Sequence, residues 1–598
     1  MVVNIASVIK QGEWSAAETE QLHALLIELD QDEAVYNPIH AMAAVRRGTS
    51  RKASNPDSPS VWEALSSDDA ESWFEAMRSE MDSLCRRNTW TIVPRSDAGG
   101  RDVIPGTWSM LKKRYPDGRF RKYKARWCKR GDIERQKAGP SLNTYSPVVS
   151  WTTVRMMLLL GLICGLHTTQ VDYTNAFAQA DLPEPAYMEL PFKFERELGE
   201  GIEDPIIKLN KSLYGGALAA KHWFDKLSTG LKARGFRQSA LDPCLFIRSD
   251  MIIVAYVDDC VHWYRDQADM DAFIQSLKDD GDECNWEHTV EGKVSAFLGI
   301  DIQYNKTTNQ YKLTQTGLID KVLRATGLSD CNAKPTPCSA DGKPLGTDPN
   351  GPTAKEDWSY PSVIGMLLYL AGNSRPDIAF ATHQCGRFSH SPKASHEAAI
   401  IRICRYLKGT RDQGLILKPG SDLKVDCFVD ADFGGLFGVE DPNDPICAKS
   451  RTGYVIMLAG CPLVWTSKLQ TTIALSTQNA EYVALSQSLR DLVPIRDMLL
   501  DLAGTLNIGT DIPIVTQSKA FEDNAAALQF ALSGKLTPQN KHIATKYHWF
   551  RSHIRSDSNP DGWLQIEKVD TCNQAADIIT KNLQHEKFIK ARLLLCGW

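Results

Sequence analysis

None of the 15 cysteines falls in a C-x-x-C pair, which argues against a structural zinc site built on thiolates. No signal peptide opens the chain, so the thiols are expected to be reduced and the protein intracellular. No apolar run approaches a membrane span. The best candidate, residues 156–166 (M-M-L-L-L-G-L-I-C-G-L), is too short for a bilayer and suits a buried helix. An excess of positive charge is also missing. With a net charge of −5 at pH 7, a polyanionic partner would have to be met by local patches. What remains is ordinary for a soluble, cored protein: 43% hydrophobic and 24% charged residues over 598 positions. That length allows about three or four domains.

The stretch 251–264, M-I-I-V-A-Y-V-D-D-C-V-H-W-Y, carries the first chemical signal. Its valines and aromatics favour strands, so it reads as a hairpin with Asp258 and Asp259 at the turn. Adjacent carboxylates repel, and a bound divalent cation would relieve the repulsion. Taken alone, a solvated acidic turn explains the pair as well.

Residues 1–60 lack sustained periodicity and are expected to form a mobile arm. Helical spacing starts at Val61 with Trp62 and Leu65, followed by Trp73, Met77, Met81 and Leu84. Between 111 and 137 lies a basic hairpin that turns at Pro116-Asp117-Gly118. Lys112, Lys113, Arg114, Lys122, Lys124 and Arg126 interleave there with Tyr115, Phe120, Tyr123 and Trp127, a mixture suited to phosphates. A helix is expected over 153–166, and then a strand carrying Asp172 to its end, 86 residues before Asp258. Helical spacing resumes over 311–328. Residues 329–358, rich in Pro, Gly, Ser and Asp, read as a linker, and helices follow at 360–373 and 394–408.

The last segment restarts as an α/β unit. A first strand ends on Asp430, with Asp432 as a competitor for the same role. A hairpin pivots at Gly460, and Thr472 to Leu475 read as a third strand. A helix begins near Gln478 with Glu481 in its first turn. Asp523-Asn524 follows, and Asp577 is expected on the final helix.

These motifs, collinear in this order, resemble the reverse transcriptase and ribonuclease H portion of a copia-type LTR-retrotransposon polyprotein. The likeness covers nearly nine-tenths of the chain and rests on several stretches. They are Asn88-Thr89-Trp90, Lys122-Tyr123-Lys124-Ala125-Arg126, Val171-Asp172-Tyr173-Thr174-Asn175-Ala176-Phe177, Lys211-Ser212-Leu213-Tyr214-Gly215, Tyr256-Val257-Asp258-Asp259, Ala480-Glu481-Tyr482 and Lys541-His542-Ile543. The resemblance implies an α/β (α+β) fold in two parts. The first is a right-hand polymerase with fingers and palm at 61–310 and thumb or connection at 311–420. The second is a ribonuclease H-like α/β domain at 421–598.

The resemblance further implies an RNA-directed DNA polymerase that also degrades the RNA of the hybrid. Its partners would be an RNA template, a DNA primer, dNTPs and the RNA–DNA hybrid, with no membrane. Other polyprotein products, capsid and integrase, would accompany it. It would sit in the cytoplasm within a virus-like particle, and in the nucleus with the element's DNA. Two Mg2+ ions per site, with Mn2+ as an alternative, would be held by Asp172, Asp258 and Asp259 in the palm and by Asp430, Glu481, Asp523 and Asp577 in the second domain. Each set is therefore expected to converge. Lys113, Arg114 and Arg126 would clamp the triphosphate, Tyr173 would offer its carbonyl, Phe177 would crowd the sugar 2′ position, and Gly215 would precede the nucleotide-binding helix. The protease, zinc-knuckle and integrase motifs of such polyproteins do not occur in the sequence.

One stretch departs from the family. Where the family continues Leu-Lys-Gln-Ala-Pro-Arg, this chain has Gly216-Ala217-Leu218-Ala219-Ala220-Lys221. Leu218 replaces a glutamine that contacts nucleotide and template, for an expected loss on the order of 1–3 kcal/mol in positioning. Two alternatives to an active enzyme therefore stand: a decayed or repurposed copy that polymerises weakly, and a non-enzymatic nucleic-acid-binding scaffold.

Overall fold

The computed structural model describes residues 57–114, 119–139, 142–278, 286–339, 343–355, 357–506, 516–533, 543 and 545–598, without the side chain of Arg114. All but the last four residues of the expected N-terminal arm, the Pro116-Asp117-Gly118 turn and Lys541-His542 lie outside the described residues. The fold is mixed α/β. Two compact units form it, one from residues 57–150 and 167–294, the other from 151–166 and 295–598.

Among the described residues, the first unit holds three sheets. A four-stranded sheet runs in the order Trp90–Pro94, Pro205–Lys211, Asp181–Met188, Val103–Ile104. The basic hairpin pairs Gly106–Arg114 with Phe120–Lys129. Trp73, Met77 and Met81 from the helix Ala70–Arg86 pack with Trp108 and Trp127 of the hairpin in one buried cluster, which fixes the hairpin on an apolar base. The six-stranded sheet runs His288–Gly292, His167–Tyr173, Asp259–Tyr264, Met251–Tyr256, Leu245–Ile247, Arg237–Gln238. One face is buried through Val171, Tyr173, Phe246 and Ile253, which pack with Trp223 and Leu227 of the helix Ala219–Ala233.

The apolar run near 156 forms the helix Trp151–Ile163, buried around its circumference. It belongs to the second unit, and Arg155 stitches it there. The guanidinium donates to the carbonyls of Leu463, Gly372 and Asn373 at 2.6, 2.7 and 3.0 Å and stacks 4.1 Å over Trp465. That unit also takes residues 295–310, expected with fingers and palm. Ala296–Phe297 and Ile300–Asn305 join Gln310–Thr314 and Leu415–Leu417 in a sheet, turning at Leu298-Gly299 with φ of 51° and 75°. The expected helix at 311–328 is therefore a strand to Thr314 and a helix only over Thr316–Ala325. Strand alternation over five residues is too short to stand out beside the helical pattern that follows.

The described residues of 329–358, read as a linker, hold no helix or named strand but pack against their surroundings. Arg402 donates to the Thr336 hydroxyl at 2.9 Å, and His396 meets the Gly346 carbonyl at 2.8 Å. Arg375, between the helices expected at 360–373 and 394–408, is buried. It forms a two-pronged pair with Asp377 at 2.8 and 3.0 Å, and Tyr406 donates to the same carboxylate at 2.6 Å. Arg375 also donates to the Thr410 carbonyl at 3.1 Å, bracing the helices from within.

The five-stranded sheet runs Cys461–Leu469, Arg451–Leu458, Val425–Asp432, Ser518–Glu522, Leu564–Lys568. The first three strands are antiparallel; the last two add in parallel. Thr472 to Leu475 are not a strand: the third antiparallel strand is the return arm of the Gly460 hairpin. The helix starts at Thr477, where Ser476 accepts from the Asn479 N–H, so Glu481 lies in the second turn and not the first. Asp577 begins a short helix, Asp577–Thr580, separate from the final helix His585–Cys596.

Candidate active sites

In the first unit, sheet register sets Asp172 opposite Asp259. Tyr256 pairs with Asp259, so the hairpin turns through two residues, Val257 and Asp258. Such tight turns need positive φ, and Val257 takes 53°, a conformation that a β-branched residue resists. Two bonds from outside the hairpin hold the turn. Trp223 Nε1 donates to the Val257 carbonyl at 2.5 Å, and the Tyr173 N–H donates to the Asp258 carbonyl at 2.7 Å. Asp258 therefore sits in the turn and Asp259 opens the outgoing strand, with both locked against the strand of Asp172.

Electrostatics mark this edge as strained. Burial, with Glu291, Asp258 and Asp172 nearby, pushes the Asp259 carboxyl up to about 7, against a hydrogen bond from Gln170 Nε2 at 2.7 Å. Asp172 is raised by burial and then by Asp258 and Glu291, and is opposed by Lys124 and Lys113. Those lysines belong to the basic hairpin. Burial and then Arg126 and Lys113 bring the Lys124 ammonium down to about 8, and Lys113 is lowered by burial and by Lys122, Arg126 and Arg121. Crowded cations thus face crowded carboxylates, and a metal–polyanion ligand would relieve both sets.

The other candidate residues of the first unit divide by role. Tyr173 is buried between Trp223 and Trp286. Phe177 packs edge-on against Tyr214 at 5.1 Å and stays half-exposed. The Arg126 guanidinium lies 4.3 Å over that same Tyr214 ring. Gly215 takes φ of 80°, and a Cβ there would meet the Lys129 carbonyl at 2.4 Å, so its glycine serves close packing against the hairpin. Leu218 precedes the helix Ala219–Ala233, and the neighbouring Ala217 N–H is capped by Glu134 at 2.8 Å. Glu134 also pairs with Lys129 at 2.6 Å. The altered stretch after Gly215 is thus well anchored to the hairpin.

In the second unit, three elements bring acids together. Asp430 comes from the strand Val425–Asp432, Glu481 from the helix Thr477–Thr505, and Asp523 follows the strand Ser518–Glu522. Each offers an oxygen within 4.8 Å of the others, and among the described residues no other three such groups meet so closely. Asp172, Asp258 and Asp259 are therefore adjacent by register without sharing that spacing. Asp430 is fully buried within the cluster, whereas its competitor Asp432 stands outside it. Glu481 Oε2 is buried without a hydrogen-bond partner, as is Oε2 of Glu522 beside it. Burial, then Glu522, Asp430 and Asp523, raises Glu481; burial, then Asp523 and Asp430, raises Glu522 against a hydrogen bond from the Asn524 N–H. An all-oxygen donor set with unsatisfied buried oxygens suits a hard divalent cation.

Asp577 does not join the three. Lys581 Nζ lies 3.0 Å from Asp577 and 2.8 Å from Asp430, standing between them. Four functional-looking residues escaped the sequence reading: Gln170, Glu291, Glu522 and Lys581. Gln170 shares a strand face with Asp172, Glu522 precedes Asp523, and Lys581 lies four residues after Asp577, so those three left a trace. Glu291 left none, because a register irregularity between Val290 and Gly292 sets its position.

Residues 87–340 match the family described as reverse transcriptase (RNA-dependent DNA polymerase). The chain is 30% identical over 88% of its length to the retrovirus-related Pol polyprotein from transposon TNT 1-94 of Nicotiana tabacum, and spans 38% of that protein. It is 30% identical over 86% of its length to the Pol polyprotein from transposon RE2 of Arabidopsis thaliana, spanning 33% of it. The Ty1-DR5 Gag-Pol polyprotein of Saccharomyces cerevisiae is 25% identical over 88% of the chain, which spans 29% of it. The chain thus spans about a third of these curated relatives. Among solved structures, a foamy viral protease-reverse transcriptase in complex with double-stranded DNA aligns at 12% identity and a TM-score of 0.44, covering 83% of this chain and 69% of that one.

Proposed function

We propose, from the premise that the chain belongs to the reverse transcriptase family of copia-type, retrovirus-related Pol polyproteins, that it copies RNA into DNA and cleaves the RNA of the resulting hybrid. The observation that carries the first activity is the register of Asp172 against Asp259 with Asp258 in the adjoining turn, in the electrostatic reach of Lys113 and Lys124. Divalent ions, Mg2+ in this reading, would be held by Asp172, Asp258 and Asp259, and by Asp430, Glu481 and Asp523 with Asp577 beside them. Bound there, they would activate the attacking oxygen and neutralise the leaving group.

The chain's own residues supply the rest. Lys113, Lys124 and Arg126 present positive charge to the triphosphate of an incoming dNTP and to the primer–template backbone. Phe177, propped by Tyr214, narrows the space beside the sugar, which favours deoxynucleotides. Trp223 and Tyr173 hold the Val257-Asp258 turn so that the carboxylates keep their places through turnover. In the second unit, the strand, helix and strand end present their acids to one phosphate of an RNA–DNA hybrid, recognised by shape and 2′-hydroxyls. The test is primer extension on an RNA template with Mg2+, beside hybrid cleavage in the same sample. Extension that survives Asp258→Asn would overturn the palm assignment, and metal-independent binding without either activity would leave only a scaffold. We place the protein in a cytoplasmic particle with its element's RNA; fractionation with that RNA checks this.

A further inference from the structure

We propose that Lys581 is a resident cation of the distal carboxylate site, limiting the substrate-free protein to one divalent ion and admitting a second only when it leaves Asp430 and Asp577. This rests on the reading of that site as a metal-dependent nuclease. The four acids assigned there fall into two unequal halves. On one side, Asp430, Glu481 and Asp523 each offer an oxygen within 4.8 Å of the others, and Glu481 Oε2 has no partner. On the other side the position between Asp430 and Asp577 is taken. Lys581 Nζ reaches Asp430 Oδ1 at 2.8 Å and Asp577 Oδ1 at 3.0 Å, while Thr580 donates to Asp430 Oδ2.

The ammonium therefore supplies, from the chain itself, the charge that a second ion would bring. It can also leave. The Lys581 side chain is 36% exposed, against 1% for Asp430, and a lysine is a point charge on a flexible stem. A scissile phosphate arriving at this rim gives the ammonium a new anion, so substrate and second ion would enter together. Lys581 is then a positioning residue that couples hybrid binding to completion of the site, and suppresses hydrolysis when no hybrid is present.

The test counts Mn2+ on the full chain by calorimetry and by the paramagnetic signal of the free ion, in an Asp258→Asn/Asp259→Asn background that disables the palm. One ion is expected with Lys581 intact and two with Lys581→Met, the second bound at least about tenfold tighter than in the Lys581-intact protein, which is about 1.4 kcal/mol. Lys581→Arg should stay at one. In chelator, Lys581→Met should melt below the parent, and Mn2+ should abolish the difference. Lys581→Gln reads the same count where the methionine variant folds poorly. Equal stoichiometry and affinity with and without the lysine would overturn the proposal while leaving the nuclease reading intact. Failure of every variant to bind Mn2+ would overturn both.

Discussion

The two acidic sites reach a similar donor chemistry by opposite routes. In the first unit the aspartates come from two neighbouring strands and the turn between hairpin arms, half-exposed, beside a crowded basic hairpin. In the second, they come from separate elements of an α/β layer, are largely buried, and hold their balancing charge internally in Lys581. A site that must accept a triphosphate and a moving primer needs open carboxylates with cations at hand. A site that strikes a phosphate already fixed in a duplex can be deep and self-neutralised. On the function proposed above, the difference teaches that counter-charge, and not the carboxylates alone, distinguishes the two tasks.

The sharpest break of this comparison is to silence one site and read both. Asp258→Asn should lower primer extension by on the order of 10³-fold or more and spare hybrid cleavage, with Glu481→Gln doing the reverse. Loss of both activities from either variant would mean that the sites are not independent. Next in size is Leu218→Gln. Restoring a hydrogen-bonding side chain beside the nucleotide should raise extension about tenfold, within the 1–3 kcal/mol of one such bond, with cleavage unmoved. Unchanged single-nucleotide kinetics would show that the anchoring of Ala217 by Glu134 already compensates.

A subtler measure is pH. Folding lifts the Asp259 carboxyl from its ordinary range to about 7, so between about pH 4 and 7 the folded chain holds a proton that the unfolded chain has released. Metal-free stability should therefore fall as pH rises through that window, and Asp259→Asn should flatten the slope in chemical denaturation of the first unit. The smallest expected effect is Glu522→Gln, which removes a buried acid raised by burial and by its neighbours. Metal-free Tm should rise by about 2–4 °C per kcal/mol recovered, read by scanning calorimetry. No shift would mean that Glu522 is already protonated and bonded in solution.

Much of this was legible in the residues. The β-branched alternation around Asp258-Asp259 announced a hairpin, and the basic stretch at 112–126 announced its partner charge. The apolar run near 156 announced a buried helix, but nothing in it said that Arg155 would tie that helix to carbonyls more than 200 residues away. The reading failed where short segments carried two patterns at once, as at 310–314 and 472–475. The compact units also cut across the expected boundaries, because residues 295–310 pair with strands far along the chain.

By itself, the sequence determined which residues could be chemical: seven carboxylates in a telling order, a basic hairpin, and an aliphatic residue where a polar one would help. Tertiary structure decided which of them meet. Sheet register, a long-range property, sets Asp172 opposite Asp259, and parallel strand addition brings Asp523 to Asp430. It also decided that Asp577 faces Lys581 instead of joining its fellows. Charges separated by tens or hundreds of residues feel each other only once folding has closed the distance and removed the water between them.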